Sequence, residues 1–116
     1  MVRTAFLSSV AAIIIASMSL AFARAESEAD ALNRAASANK KRDFTAAVDI
    51  YVGLDEPGSP AGSRFLGLMY WAGAGVEKDH ARACDLYDKA ARVGDALATE
   101  LLGDCYFNGD GRVATI

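Results

Sequence analysis

Histidine, cysteine and proline are almost missing from this chain: its 116 residues include one His, two Cys and two Pro. Three soft ligands are too few for a structural zinc site, which closes its shell with four. A basic excess is missing too. Twelve Lys and Arg stand against 15 Asp and Glu, a net charge of −3, so nothing would hold a phosphate backbone. The carboxylates are scattered along helix faces and form no confined pair of the kind that general acid–base chemistry needs. No metal, no cofactor and no nucleic-acid partner is therefore expected. At 53% hydrophobic and 23% charged, the chain is too apolar for a disordered tail and too mixed for a multi-span membrane protein. Its length suits one small domain.

Much of the apolar excess lies in residues 1–25, MVRTAFLSSVAAIIIASMSLAFARA. Arg3 is the only charge before Arg24, an apolar core centres on Val10–Ile15, and Ala23 and Ala25 supply small residues. These three regions in this order predict a secretory signal, cleaved after Ala25 or after Ala23. A permanent anchor fits less well, because Ser8, Ser9, Ser17 and Ser19 dilute the apolar run. Removing the segment takes away two positive charges and no acid. The remaining 91 residues carry 10 basic and 15 acidic groups, net −5, and are expected to insert stably in no membrane.

The rest of the chain repeats itself every 36 residues. Leu66 falls on Leu102, Gly67 on Gly103, Tyr70 on Tyr106, Gly73 on Gly109 and Gly75 on Gly111. Upstream, Asp43 falls on Asp79, Ala47 on Ala83, Tyr51 on Tyr87 and Gly58 on Gly94. Glycines, aromatics and acids match, so alanine bias does not explain the pattern. Each unit reads as two helices. Ser59 with Pro60, and Asp95 one repeat later, start the first helix; Gly73 ends it; Asp79 starts the second and Gly94 closes it.

The stretch AGSRFLGLMYWAGAGVEKDHARACDLYDKAARVGD resembles the Sel1-like repeat, a relative of the tetratricopeptide repeat. The resemblance rests on Ala61, Leu66, Gly67, Tyr70, Gly73, Gly75, Val76, Asp79, Ala83, Tyr87, Lys89-Ala90-Ala91 and Gly94. Residues 97–111 match the first helix and turn of another unit, with Gly103, Tyr106, Gly109 and Gly111 in place. Residues 26–60 match weakly: Ser37 and Asn39 stand for the turn glycines and Arg34 for the tyrosine. The expected organisation is a signal at 1–25, an atypical repeat at 26–60, a Sel1-like repeat at 61–96 and a partial one at 97–116. The resemblance implies an all-α solenoid of antiparallel helix pairs, truncated after the first helix of the third unit. That helix would leave an apolar face for a partner or for self-association with a second copy, unless the chain is a truncated fragment without function.

The resemblance also implies a function, a non-enzymatic scaffold for a protein or peptide partner. The resemblance further implies a periplasmic place, where some bacterial relatives act as regulators or adaptors in envelope signalling. Some cysteine-rich relatives bind or weakly hydrolyse β-lactams. Ser37-Ala38-Asn39-Lys40 has the matching Ser–Lys spacing, but the companion Ser-Asp-Asn and Lys-Thr-Gly elements are missing, and a polar inter-helix turn is the plainer reading. Lys40-Lys41-Arg42, the only basic run, reads as a solvated turn. His80 and Cys84, one helical turn apart, could form a nucleophile, though no third orienting group accompanies them.

Two further expectations concern side chains off the family pattern. Tetratricopeptide-like stacks line their concave side with first helices, which points to Arg64, Leu68 and Trp71, to Glu100, Asp104 and Phe107, and to Glu28, Leu32 and Ala35. An arginine and an aromatic on one stripe suit a binding hot spot; the alternative is that Trp71 packs on a neighbouring helix. Cys84 and Cys105 lie 10 residues before and 11 after Gly94, at one height in an antiparallel hairpin. One repeat earlier the same sites hold Val48 and Met69, an apolar pair. A disulfide is expected there, two buried thiols being the alternative.

Overall fold

An acid or hydroxyl oxygen caps the start of each helix after the first in the computed structural model, which describes residues 28–108. Helix α1 runs through residues 28–40, followed by α2 (Phe44–Asp55), α3 (Pro60–Ala72), α4 (His80–Arg92) and α5 (Ala96–Asn108). Asp43 accepts from Ala46 N at 3.3 Å, Ser59 from Gly62 N at 3.1 Å, Asp79 from Arg82 N at 3.0 Å and Asp95 from Ala98 N at 2.9 Å. Each cap satisfies one of the backbone donors that a helix start leaves without a partner. The caps recur at the repeat spacing, Asp43 with Asp79 and Ser59 with Asp95. At the other end of α3, Gly73 adopts φ 67°, where a side chain would be strained, and donates its N–H to Met69 O.

Among the described residues there is no strand, and the architecture is an all-α helical-repeat stack, an α-solenoid. Helices α2 to α5 and residues 31–40 of α1 lie in the compact unit Ala31–Ile116; of the other unit, Met1–Asp30, only 28–30 are described, and they are helical. The expected signal segment 1–25, with both cleavage points, lies outside the described residues, as do Gly109 and Gly111.

Consecutive helices pack: α2 on α3, α3 on α4, α4 on α5. Two clusters form the core. Ala35, Ala47, Val48, Tyr51, Leu66 and Met69 make the first, with Val76 of the α3–α4 turn against it. Ala83, Cys84, Tyr87 and Cys105 make the second. Equivalent positions do equivalent work: Ala47 and Ala83 are both buried, as are Tyr51 and Tyr87. Burying a side chain of that size contributes roughly 2–3 kcal/mol.

The first unit departs from the reading of its turn. Residues 37–40 are helical, so Ser37 and Asn39 belong to the last turn of α1 instead of an inter-helix turn. With no glycine at 37 or 39 to take a left-handed cap, the helix continues to Lys40, and the turn that follows places Arg42 at φ 61°. Asn39 then reaches the buried ring of the next helix and donates Nδ2–H to Tyr51 Oη at 3.0 Å.

Candidate functional site

Arg64 spans from α3 to the start of α5. Its Nε lies 3.2 Å from both carboxylate oxygens of Asp95, and both side chains are largely buried. The guanidinium also sits 4.5 Å from the centroid of the Phe65 ring. Burial alone would push the Asp95 carboxyl up, but the N–H of Ala98, the Arg64 bond and charge and the N–H of Leu97 outweigh it. The carboxyl is held below its ordinary 3.8.

Trp71, from the last turn of α3, stacks on His80 at the start of α4, with ring centroids 3.8 Å apart and planes 5° from parallel. Leu68 and Trp71 pack, partly buried, against the cluster that contains Cys84 and Cys105. Of the six stripe residues in the second and third units, the three on α3 are thus engaged inside the fold. The three on α5 are open: Glu100 and Asp104 are exposed, and Phe107 is 91% exposed. Leu97 of α5 is also exposed. In the first unit Leu32 is partly buried against the core, and Ala35 is inside it, so that position cannot present a side chain to a partner. Glu28 is partly buried.

The structure joins Cys84 of α4 to Cys105 of α5, with Cα atoms 6.0 Å apart and a sequence separation of 21. Both residues are fully buried. A Cys84 thiolate beside His80 is thereby ruled out in this state, since the sulfur is already bonded. Ser37 is exposed on α1, and its carbonyl accepts from Lys41 N at 3.2 Å. On the outer side of α4, Asp79, Ala81, Arg82, Asp85, Leu86 and Lys89 line an open depression of about 510 Å³. Among the described residues no three His, Cys, Asp or Glu side chains gather as metal ligands, and no helix is long and apolar enough to cross a membrane.

The family model of the Sel1 repeat matches residues 60–95 and 96–114. The chain carries two Sel1 repeats. Such repeats build helical scaffolds for protein–protein contact, and in general they are not catalytic. No curated protein matches the chain closely enough to count as a relative.

In the first Sel1 repeat the motif residues hold the two helices together. Gly67 faces the ring of Tyr87, and a Cβ there would stand 2.6 Å from Tyr87 Cε1 and 3.2 Å from Ala83 O. Leu66 is in the first core cluster, and Tyr70 carries the Arg82 guanidinium 4.7 Å from its ring centroid. Tyr70 O accepts from Asp79 N at 2.9 Å, which ties the turn to the helix it follows. Gly75 and Gly94 take positive φ in the two turns. Tyr87 lies deep enough that burial pushes its phenol up to about 12.

Sequence reasoning missed one polar cluster. Ser63, almost fully buried on α3, donates its hydroxyl to Asp55 Oδ1, and Lys89 Nζ of α4 reaches the same oxygen at 2.8 Å and Asp55 O at 3.0 Å. Lys89 thereby ties the first Sel1 repeat to the end of the helix preceding it. Two signals were available in the sequence. Ser63 interrupts an apolar face, and Lys89 belongs to the motif with no solvent task to explain it.

Proposed function

We propose that this protein is an exported Sel1-repeat adaptor, periplasmic or secreted, which holds a protein partner in envelope signalling and acts by binding without catalysis. The observation that carries the binding part is Phe107. A phenylalanine that is 91% exposed on a well-formed helix, with Glu100 and Asp104 on the same stripe, is an aromatic anchor beside charges. Arg64, Leu68 and Trp71 serve that surface from behind. Arg64 holds the cap of α5, and the other two pack on the cluster that includes Cys105. Export is supported by the signal-like pattern of residues 1–25 and by a buried disulfide, a bond that persists in oxidising compartments.

Both parts have direct tests. The intact mass of the protein from the exported fraction should correspond to a chain starting at Glu26 or Arg24. A photo-crosslinking residue at position 107 should yield an adduct in the producing cell that the same residue at exposed Asp49 does not. Retention of residues 1–25 in the cytoplasm would remove the export reading, and equal labelling from both positions would remove the binding reading.

A further inference from the structure

The Gly67–Tyr87 contact has an open counterpart one repeat later. Gly103 occupies the same position on α5, yet a Cβ built there meets nothing within 4 Å. Its neighbours follow suit. Leu66 is buried whereas Leu102 is only partly so. Tyr70 lies under the Arg82 guanidinium, whereas Tyr106 is 42% exposed. α5 thus presents the receiving half of an interface whose completed form is visible between α3 and α4, and that form specifies its occupant. On α4 the ring over the glycine is Tyr87, the small residue beside it is Ala83, four residues earlier, and the cation over the tyrosine is Arg82, five residues earlier.

Charge narrows the occupant further. α5 carries Glu100 and Asp104 and no basic residue, and Glu100 is one turn from Gly103. Two α5 faces from two copies would bring like charges together. A second copy has no spare α4 to offer either, since its own α4 is packed on α3 and bonded through Cys84 to Cys105. The open face is also continuous with the α4–α5 packing already formed, since Leu102 packs, partly buried, against the cluster of Ala83, Cys84, Tyr87 and Cys105.

We propose that the face of α5 formed by Leu102, Gly103 and Tyr106 receives a cationic amphipathic helix from another protein. Its aromatic ring lies over Gly103, and an arginine five residues before that ring lies over Tyr106. The mode is helix-in-groove recognition with a glycine as the groove floor. The inference rests on the scaffold reading above and adds the surface and the class of partner. Phe107, one helical turn after Gly103, borders this face.

The chain's own α4 is a suitable probe. A fluorescein-labelled synthetic peptide of residues 78–94, carrying Cys84→Ala, is titrated with the full oxidised protein and followed by anisotropy. Saturable binding is expected. It should fall at least tenfold when the peptide carries Tyr87→Ala, again when the protein carries Gly103→Leu, and it should weaken with added salt. Gly103→Leu adds atoms where the fold has none nearby, so it should keep the parent's helical circular dichroism and melt no lower than the parent; Tyr106→Asp is the second variant should it not. Unchanged binding with the Tyr87→Ala peptide, or with both protein variants, overturns the proposal. A concentration-dependent dimer abolished by Gly103→Leu also overturns it, by giving the face to a second copy. The position-107 crosslink asks whether any partner is held and the titration asks for a helix of this kind, so a crosslink without peptide binding would overturn this proposal and leave the scaffold reading standing.

Discussion

The ring of Tyr87 rests on the bare backbone of Gly67, close enough that a single methyl at residue 67 would overlap its Cε1 and Cδ1 atoms. Two glycines at equivalent repeat positions should therefore respond in opposite directions to alanine. Gly67→Ala gains helix propensity of about 1 kcal/mol but forces the ring away, for a net destabilisation of roughly 1–2 kcal/mol. Gly103→Ala meets nothing and should stabilise by roughly 0.5–1 kcal/mol. Urea melts of the two variants beside the parent check both signs; equal effects would remove the close-approach argument.

Cys84 and Cys105 close a loop with a sequence separation of 21. The chain-entropy model assigns such a crosslink about 3 kcal/mol. The loss should concentrate in α5, which packs on α4 alone among its principal helix neighbours. In the Cys84→Ala/Cys105→Ala protein, amide exchange in α5 should accelerate more than in α2 or α3. Uniform acceleration along the chain would show instead that the stack melts as one unit.

Asp95 links stability to acid. Its carboxyl is held below the ordinary 3.8 in the fold. A carboxylate of lowered pKa contributes stability that is present above its unfolded value and is lost as pH falls through the folded one. Asp95→Asn keeps a capping oxygen but removes the charge facing Arg64. At neutral pH it should cost about 2 kcal/mol. Below about pH 4 the variant and the parent should converge. Melting curves across that range test it, and a constant gap would assign the acid limb to other carboxylates.

Tyr87 sets an opposite, alkaline limit. Its phenol titrates at about 12 in the fold against 10.0 ordinarily, because burial disfavours the phenolate. The neutral form is favoured by folding, so this contribution is intact below pH 10 and is lost as pH rises from 10 towards 12. Tyr87→Phe should cost less than about 1.5 kcal/mol at neutral pH and should lose less stability than the parent above pH 10. The burial of Tyr51 raises its phenol too, only partly offset by the Asn39 bond, so some alkaline loss should remain. Urea midpoints at neutral and at alkaline pH decide between these outcomes.

The 36-residue period, the helix starts at Asp43, Ser59, Asp79 and Asp95, and the stop at Gly73 were readable from the chain alone. Each depends on a side chain and backbone groups within a few residues, and such short-range geometry repeats wherever the residue types repeat. The open face of α5 was readable in outline for the same reason, since the motif places Leu102, Gly103 and Tyr106 where Leu66, Gly67 and Tyr70 stand. The equal heights of Cys84 and Cys105 followed from their distances to Gly94. Folding had to settle whether their rotational phases meet. It also chose Asp95, 31 residues away, as the partner of Arg64, laid Trp71 on His80, gathered Ser63 and Lys89 on Asp55, and carried α1 past Ser37 to a turn at Arg42. A long polar or aromatic side chain reaches several neighbours from one helical position. Which of them it meets depends on how closely two helices approach and how each is rotated about its axis, and the bulk of residues distant in the chain sets both.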